Sequence, residues 1–394
     1  MWALPTDIAS RPRGRDRANS RWAMGMAIPA FEHSSIVGGW GMFLAKPAPE
    51  SLARVTMPFS MIGSRLIART FPLLMAAVLL AFGCTPTPKP VSPADVPPPD
   101  MAQLWSEPTD IAARDLFNGP GGPDLAPLPD SIFTFIAKDD TGFSPGYDVR
   151  DIPGLKWSVK YGPEAQSEVV ASRVVWALGY HQPPTYHVDQ WRLIGGDIPP
   201  GAAPPGRFRP EVPGWKQKGS WSWARNPFVG TQPYRGLIVL MHVLSNWDLL
   251  DDNTSIYEVD PPVRGARTLY VVRDLGAALG RTKAPPTSGT RNDIADFERQ
   301  GFIKGVDRDG YVRLDDTRWR HEKLYDQLTA EDIRWTCARL SRLSNRQWHD
   351  AFRAARYDSA VAARFIHRLQ EKVQMGLMLG GPGDTERAAR AGRP

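Results

Sequence analysis

Residues 241–276, the most informative stretch of the chain, read MHVLSNWDLLDDNTSIYEVDPPVRGARTLYVVRDLG. Asp248 is followed five positions later by Asn253, and the β-like run 268–272 then leads into Asp274 of an Asp-Leu-Gly sequence. Two acids and an amide oxygen on loops around one hairpin can orient a hydroxyl group and hold a divalent cation beside a polyphosphate. The stretch therefore predicts a site of the phosphoryl-transfer type.

Two charged residues upstream extend this set. Lys160 ends the apolar run 155–160, which predicts a strand, and Glu168 lies on the predicted helix 164–178. If that helix packs on the sheet, Glu168 faces back and holds the lysine, although Glu164, one turn earlier, competes for this role. Taken alone, each residue also fits a solvated strand end or a helix surface, so the ordered set of five is what indicates a site.

The loop DDTGFSPG lies between the first two predicted strands, where a loop that covers phosphates is expected. Its backbone N–H groups from Gly142 to Gly146 are candidate phosphate donors, and the hydroxyl of Ser144 is an additional one. As a glycine motif the loop is weak, because GxGxxG is absent.

The order of the predicted elements indicates an α+β fold. The predicted strands are 131–136, 147–150, 155–160 and 185–193, with helix 164–178 among them. The predicted helices that follow are 234–245, 329–343, 345–355 and 359–375. Thr329 with Asp332, and Ser344 with Gln347, have the spacing of N-terminal caps.

The start of the chain differs from the rest in composition. Residues 1–60 are unpatterned and Arg-rich, and we interpret them as an upstream extension that comes from an over-long gene start. Residues 61–84 combine a basic flank, an apolar run from Phe71 to Phe82 and a terminal Gly-Cys, which predicts a lipoprotein signal peptide with lipid on Cys84. The predicted location is the bacterial cell envelope, on the periplasmic or outer-membrane side, with the membrane as a partner.

The remaining residues divide by their composition and pattern. The predicted segments are a Pro-rich tether (85–108), a strand-rich part (109–193), a Pro/Trp-rich insertion or hinge loop (194–233), a helical part (234–377) and a disordered tail (378–394).

Charge and cysteine content exclude two classes of protein. The chain has 48 Lys and Arg against 42 Asp and Glu, and most of the excess lies in residues 1–83, with nine basic and four acidic residues. The part after the signal is therefore nearly neutral, and nucleic acid is not an expected partner. If Cys84 carries lipid, Cys337 is the remaining cysteine, so a disulfide-stabilised domain is excluded.

These segments resemble the protein-kinase-like superfamily, nearest to its phosphatidylinositol-kinase-like and secretory-pathway-kinase-like branches. Residues 148–173 and 226–277 also resemble an uncharacterised family of bacterial envelope lipoproteins with the patterns DVRD…W-x-VK-x-G-x-EAQ-x-EVVASR and NPFVGT…NWDL…YVVRDLGA. The resemblance implies a two-lobed fold, with a small β-rich N-lobe that carries one helix and a mainly helical C-lobe.

The resemblance also implies ligands and residue roles. The cofactors would be ATP or a related nucleotide and Mg²⁺ or Mn²⁺. Lys160 would anchor phosphates with Glu168 as its partner, Asp248 would be the catalytic-loop acid, and Asn253 and Asp274 would bind the cation. The sequence departs from the pattern where Asn246-Trp247 replaces His-Arg, where no Ala-Pro-Glu follows, and in the short lysine-to-glutamate spacing.

Two other functions are open. In the first, the chain keeps the kinase scaffold as a catalytically silent binding or structural module, which the small amount of ATP outside bacterial cells favours. Alternatively, it is a carbohydrate- or peptidoglycan-binding lipoprotein, which predicts that Trp215, Trp221 and Trp223 are exposed on one face. Retention of the lysine, both aspartates and the asparagine favours nucleotide binding.

Overall fold

The computed structural model describes residues 100–140, 142–196, 201–283, 289–315 and 322–380. The predicted upstream extension, the signal peptide with Cys84, most of the tether and the tail beyond Gly380 lie outside these ranges, so they stay predictions. Within the described ranges, no helix combines the length and apolar character that a membrane crossing requires.

The strands of the described ranges form three sheets. In chain order they are β1 (Ser131–Asp139), β2 (Gly146–Arg150), β3 (Lys156–Tyr161), β4 (Tyr186–Val188), β5 (Trp191–Ile194), β6 (Gly201–Ala202), β7 (Gly206–Pro210), β8 (Trp215–Gly219), β9 (Thr254–Val263), β10 (Ala266–Val272), β11 (Ile303–Val306) and β12 (Val312–Leu314). A seven-stranded sheet has the order β4-β7-β3-β2-β1-β5-β6, a second sheet has the order β10-β9-β8, and β11 pairs with β12. Only the β1–β5 pair of the described strands is parallel.

The helices lie mostly in the second half of the chain. They are α1 (Glu164–Ala177), α2 (Gln232–Val243), α3 (Ile294–Arg299), α4 (Glu322–Tyr325), α5 (Ala330–Leu340), α6 (Asn345–Ala354) and α7 (Ser359–Met378). Thr329 and Ser344 form capping boxes with Asp332 and Gln347, as their spacing predicts. The mixed α+β class and the long helices of the prediction are confirmed.

The seven-stranded sheet has one apolar face and one polar face. On β3, Trp157 and Val159 are buried in an aromatic cluster with Phe133 and Phe208 of neighbouring strands. Because side chains alternate along a strand, the neighbouring residues 158 and 160 point to the opposite face. Helix α1 packs against β3 and β7 and is buried on nearly every side, so the polar face meets α1 inside the molecule.

A larger hydrophobic core joins α1, α2 and the C-terminal helices. Cys337 of α5 lies within this core as a fully buried free thiol, and burial raises its pKa to about 12. A thiol in this state is a packing residue rather than a nucleophile.

Two expectations about where the strands lie are wrong. The stretch 194–233, which we expected to be an irregular insertion or hinge loop, contains β6, β7 and β8, and β7 lies inside the large sheet. Its Pro and Gly residues indicated a loop, but the buried strand consists of Gly-Arg-Phe-Arg-Pro, whose arginines find partners in the fold. The single strand expected at 185–193 is instead two short strands, β4 and β5.

A buried histidine makes the stability of this fold sensitive to acid. His181 is 3% exposed, its Nε2 lies 2.7 Å from the carbonyl oxygen of Ala102, and burial lowers its pKa to about 4. An unfolded histidine titrates near ~6.5, so the unfolded state binds more protons between these two values. We expect the free energy of unfolding to fall as the pH drops from about 6.5 to about 4.

Urea unfolding at several pH values measures this effect. The variant His181→Gln should show a flatter decline over that window, whereas replacing the exposed His349 by Gln should leave the curve unchanged. A decline that is equally steep in the His181 variant and the wild type contradicts the prediction.

Candidate functional site

The centre of the site is an ion pair between the large sheet and the loop after β10. The Nζ atom of Lys160 lies 2.9 Å from Oδ2 of Asp274, and the two side chains are 14% and 27% exposed. Lys160 stands on the polar face of the sheet, opposite Arg207 in the register of β3 with β7. The structure therefore brings the lysine and the Asp-Leu-Gly aspartate together.

Hydrogen bonds fix the aspartate and its loop. Oδ1 of Asp274 accepts from the backbone N–H of Gly276 at 3.0 Å, and the carbonyl of Asn253 accepts from the N–H groups of Arg273 and Asp274 at 2.8 and 2.9 Å. Burial acts to raise the pKa of Asp274, but the adjacent Lys160 ammonium holds it well below the usual range. The carboxylate is thus charged at any physiological pH.

A hydrogen bond also connects the loop that carries Asp248 to Asn253. The amide Nδ2 of Asn253 donates to the carbonyl of Asp248 at 2.7 Å. Upstream, Ser245 has a left-handed backbone (φ 52°), and the buried Lys372 of α7 donates to its hydroxyl and to the carbonyl of Val243, both at 3.0 Å. Four predicted residues, Lys160, Asp248, Asn253 and Asp274, therefore belong to one connected region.

Glu168, the fifth predicted residue, has different partners from those expected. Its Oε2 lies 3.1 Å from Nε of Arg207, and its Oε1 contacts Nη2 of Arg209, so the expected Lys160–Glu168 pair is wrong. The physical reason is β7, which places two guanidinium groups against α1. Planar, multidentate guanidinium groups suit a buried carboxylate better than a lysine does.

Glu164, the alternative partner, also makes other contacts. It accepts a hydrogen bond from Ser144, and its Oε1 lies 3.2 Å from Nε of Arg291. Burial is the main cause that raises its pKa. The guanidinium of Arg291 also lies over the ring of Phe143, 3.6 Å from its centroid, and 5.1 Å from the ring centroid of Trp247.

The predicted phosphate loop is held down by these contacts. Ser144 is buried, and its hydroxyl already donates to Glu164. Gly146 belongs to β2 and pairs with Lys160, and a Cβ there would lie 2.2 Å from the carbonyl oxygen of Val159. Gly142 has a left-handed backbone (φ 87°) and open space around it, so it is the member of the set that fits the expected role in a loop.

Sequence reasoning missed three arginines around the site, which are Arg207, Arg209 and Arg273. Arg207 is fully buried, and burial lowers its pKa to about 10. Nη2 of Arg209 donates to the carbonyl of Arg273 at 2.7 Å, which ties β7 to the residue before Asp274. The alternating Arg-Phe-Arg of β7 was the available signal, and its surroundings of Pro and Gly concealed it.

A cavity of about 730 Å³ lies beside these residues. Its walls come from β2, β3 and β7 of the large sheet, from the connection 211–213, and from β8 and β9 of the second sheet. Ser158, Arg209 and Arg273 are among the lining residues. The volume is within the usual range for small-molecule sites, roughly 300–1,000 Å³.

The tryptophans do not form the exposed face that carbohydrate binding predicts. Trp221 is 5% exposed and donates to the carbonyl of Val271, and Trp223 is fully buried. Trp215 is half-buried, with its ring centroid 5.4 Å from that of Tyr257. Two of the three therefore act as core residues.

Comparisons with known proteins find structural similarity alone. No family profile matches the chain, and no curated protein matches it. Among solved structures, it is similar to the Helicobacter pylori proinflammatory kinase CtkA, with 13% identity, a TM-score of 0.39, and coverage of 68% of this chain and 100% of the other. It is also similar to the golgi casein kinase, with 10% identity, a TM-score of 0.34, and coverage of 66% and 76%.

The contacts of Glu168 predict that it is needed for folding. Replacing it by Gln leaves Arg207 and Arg209 without a buried counter-charge, so we expect the free energy of unfolding to fall by about 3–5 kcal/mol. Denaturant titration measures the change. Glu258→Gln is the matched control, because its pair with Lys218 is exposed and should contribute about 0–1 kcal/mol. A loss as small as that of the control would contradict the structural role.

Proposed function

We propose that the chain is a kinase-fold phosphotransferase-like protein that binds a nucleotide with a divalent cation, and that it transfers phosphate to an acceptor not yet identified. In this proposal, the seven-stranded sheet with α1 is the small lobe, and the mainly helical remainder is the large lobe. The observation that carries it is the 2.9 Å contact between Lys160 and Asp274, two residues 114 positions apart in sequence. Phosphoryl transfer needs a positively charged side chain, here Lys160, beside an acid that binds the metal ion.

The donor groups fit a hard cation that keeps part of its water. Asn253 uses its amide nitrogen on Asp248, which leaves the amide oxygen as a ligand, and Asp274 supplies a carboxylate. Mg²⁺ is commonly held by one or two carboxylates together with substrate phosphates rather than by a full protein cage. Among the described residues, no group of three or more His, Cys, Asp or Glu side chains is arranged to hold a metal.

Each residue then has a distinct task. Lys160 would bind phosphate oxygens. Asp274 and Asn253 would hold the cation, which would offset negative charge on the phosphates. Asp248 orients the acceptor hydroxyl and receives its proton. Glu168 acts indirectly, because its contacts with Arg207 and Arg209 hold β7 and α1 together.

A second candidate is a catalytically silent module that binds the same ligand. The contact of Ser144 with Glu164, and of Phe143 with Arg291, favours it, because these hold the loop between β1 and β2 against the site. The two candidates differ in turnover rather than in binding. Carbohydrate binding is disfavoured by the burial of Trp221 and Trp223. Lipid on Cys84 and a location in the cell envelope remain proposals from the sequence.

Two substitutions test the binding site. Asp274→Ala should abolish Mn²⁺-dependent nucleotide binding, and Lys160→Met should weaken it at least about tenfold without unfolding the protein. Calorimetric titration with nucleoside triphosphates, with and without Mn²⁺, measures both effects. The matched controls are Asp252→Ala and Lys138→Met, since both side chains are exposed.

The outcomes separate the candidates. Unchanged cation-dependent binding in Asp274→Ala rejects the proposed site, and loss of folding in Lys160→Met makes that lysine structural. If binding responds as expected, release or transfer of the terminal phosphate identifies a phosphotransferase, and its absence identifies the silent module.

A further inference from the structure

The 730 Å³ cavity is lined with charged side chains of both signs. Arg209 and Arg273 line it together with Asp148 and Glu211, and the Nζ atom of Lys156, a further lining residue, lies 3.6 Å from Oε2 of Glu211. Gln217 and the half-buried Trp215 belong to the lining contributed by β8. Binding cavities are usually mainly apolar, so this combination of charges points to a ligand with both donors and acceptors.

The two arginines have unused hydrogen-bonding capacity. The side chain of Arg209 is 8% exposed, and the Nε atoms of Arg209 and Arg273 are buried without a hydrogen-bond partner among the described residues. Among the described residues, Glu168 is the carboxylate in direct contact with both Arg207 and Arg209, and Asp274 also interacts with them electrostatically. The proximity of Arg209 lowers the pKa of Arg273. Because Arg209 and Arg273 line the cavity, the N–H groups that their guanidinium ends present there can donate to a ligand acceptor.

The carboxylates that line the cavity, its acidic side, need hydrogen-bond donors from a ligand, whereas the arginines need acceptors. Asp148 of β2 experiences the negative charges of Asp139 and Glu211, and these add to partial burial in raising its pKa. It also lies close enough to Arg273 to interact with it. Ionised carboxylates only accept hydrogen bonds, so this side calls for N–H donors next to the acceptors that the arginines need.

We infer that this cavity selects the base of the nucleotide proposed above, and that the base is guanine. Guanine presents the acceptors O6 and N7, which arginine recognises with its paired N–H groups. Beside them it presents the N1–H and 2-amino donors, which a carboxylate can accept together. Arg209 and Arg273 take the acceptor edge, and Asp148, supported by Glu211, takes the donor edge. This inference rests on the proposed nucleotide site.

Adenine fits the same lining poorly. It has an amino group where guanine has O6, so that donor would face the guanidinium donors. An amide side chain that pairs with both N6 and N7 is the usual adenine contact, and Gln217 of the lining already uses one N–H of its Nε2 on Ser255 at 3.2 Å. Adenine would thus offer the arginines one acceptor on this edge, N7, where guanine offers two.

The test compares Mn²⁺ complexes of GTP, ITP, ATP and inorganic tripolyphosphate, titrated into the full-length chain by calorimetry. ITP lacks only the 2-amino group of guanine, so it isolates the contact to the acidic side. We expect GTP to bind about tenfold or more tightly than ATP, with ITP between them.

Variants of the acidic side identify the residue responsible. Asp148→Asn should reduce the preference for GTP over ITP to near unity and leave tripolyphosphate affinity unchanged, and Glu211→Gln should reduce that preference in part. Both side chains are exposed enough to be changed without loss of folding, and Glu258→Gln, on β9 outside the cavity lining, is the control.

Each result has one meaning. Equal affinities for GTP and ATP, or a GTP preference that survives both acidic variants, overturn the base assignment but leave the proposed function standing if tripolyphosphate binds. Failure of all four probes to bind overturns the proposed function itself.

Discussion

The contact of Glu168 with two arginines is the interaction on which the rest of the structure depends. It joins helix α1 to β7, and Arg209 continues the connection to the carbonyl of Arg273, beside Asp274. One carboxylate therefore links a helix, the large sheet and the loop of the candidate site. Because all three groups are buried, the arrangement is stable only while every member is present. The positions of Lys160 and Asp274 are set by these buried contacts of Glu168 rather than by the attraction between the lysine and the aspartate.

The contacts of Glu168 also explain why the polar face of the large sheet differs from its apolar face. The aromatic cluster around Phe133 and Trp157 holds the strands together by burial, as in any sheet with one apolar side. The opposite face carries charges that would be costly inside a protein unless paired. Their pairing is incomplete at the cavity, where Arg209 and Arg273 retain buried donors. Part of the unmet hydrogen-bonding capacity of the described residues therefore belongs to arginines that line the cavity.

Local patterns in the sequence were sufficient for some parts of this structure and not for others. The apolar spacing of α1 and the caps at Thr329 and Ser344 are local signals, and they predicted helices whose ends differ little from those observed. The meeting of Lys160 with Asp274 followed from the order of recognised segments. The partners of Glu168 could not be predicted, because they depend on β7. Its Arg-Phe-Arg core resembles a solvated loop until the burial of both arginines is known.

The role of Lys372 has a consequence for how the molecule reaches its working form. This lysine is fully buried, burial lowers its pKa well below the usual range, and its amino group donates hydrogen bonds to the segment that leads into Asp248. It belongs to α7, the last helix of the described chain. During synthesis, the strands and α1 leave the ribosome well before α7 does. The hydrogen bonds from Lys372 to the segment that leads into Asp248 can therefore form only after α7 has been made, so chains that stop before α7 would lack these contacts beside the site.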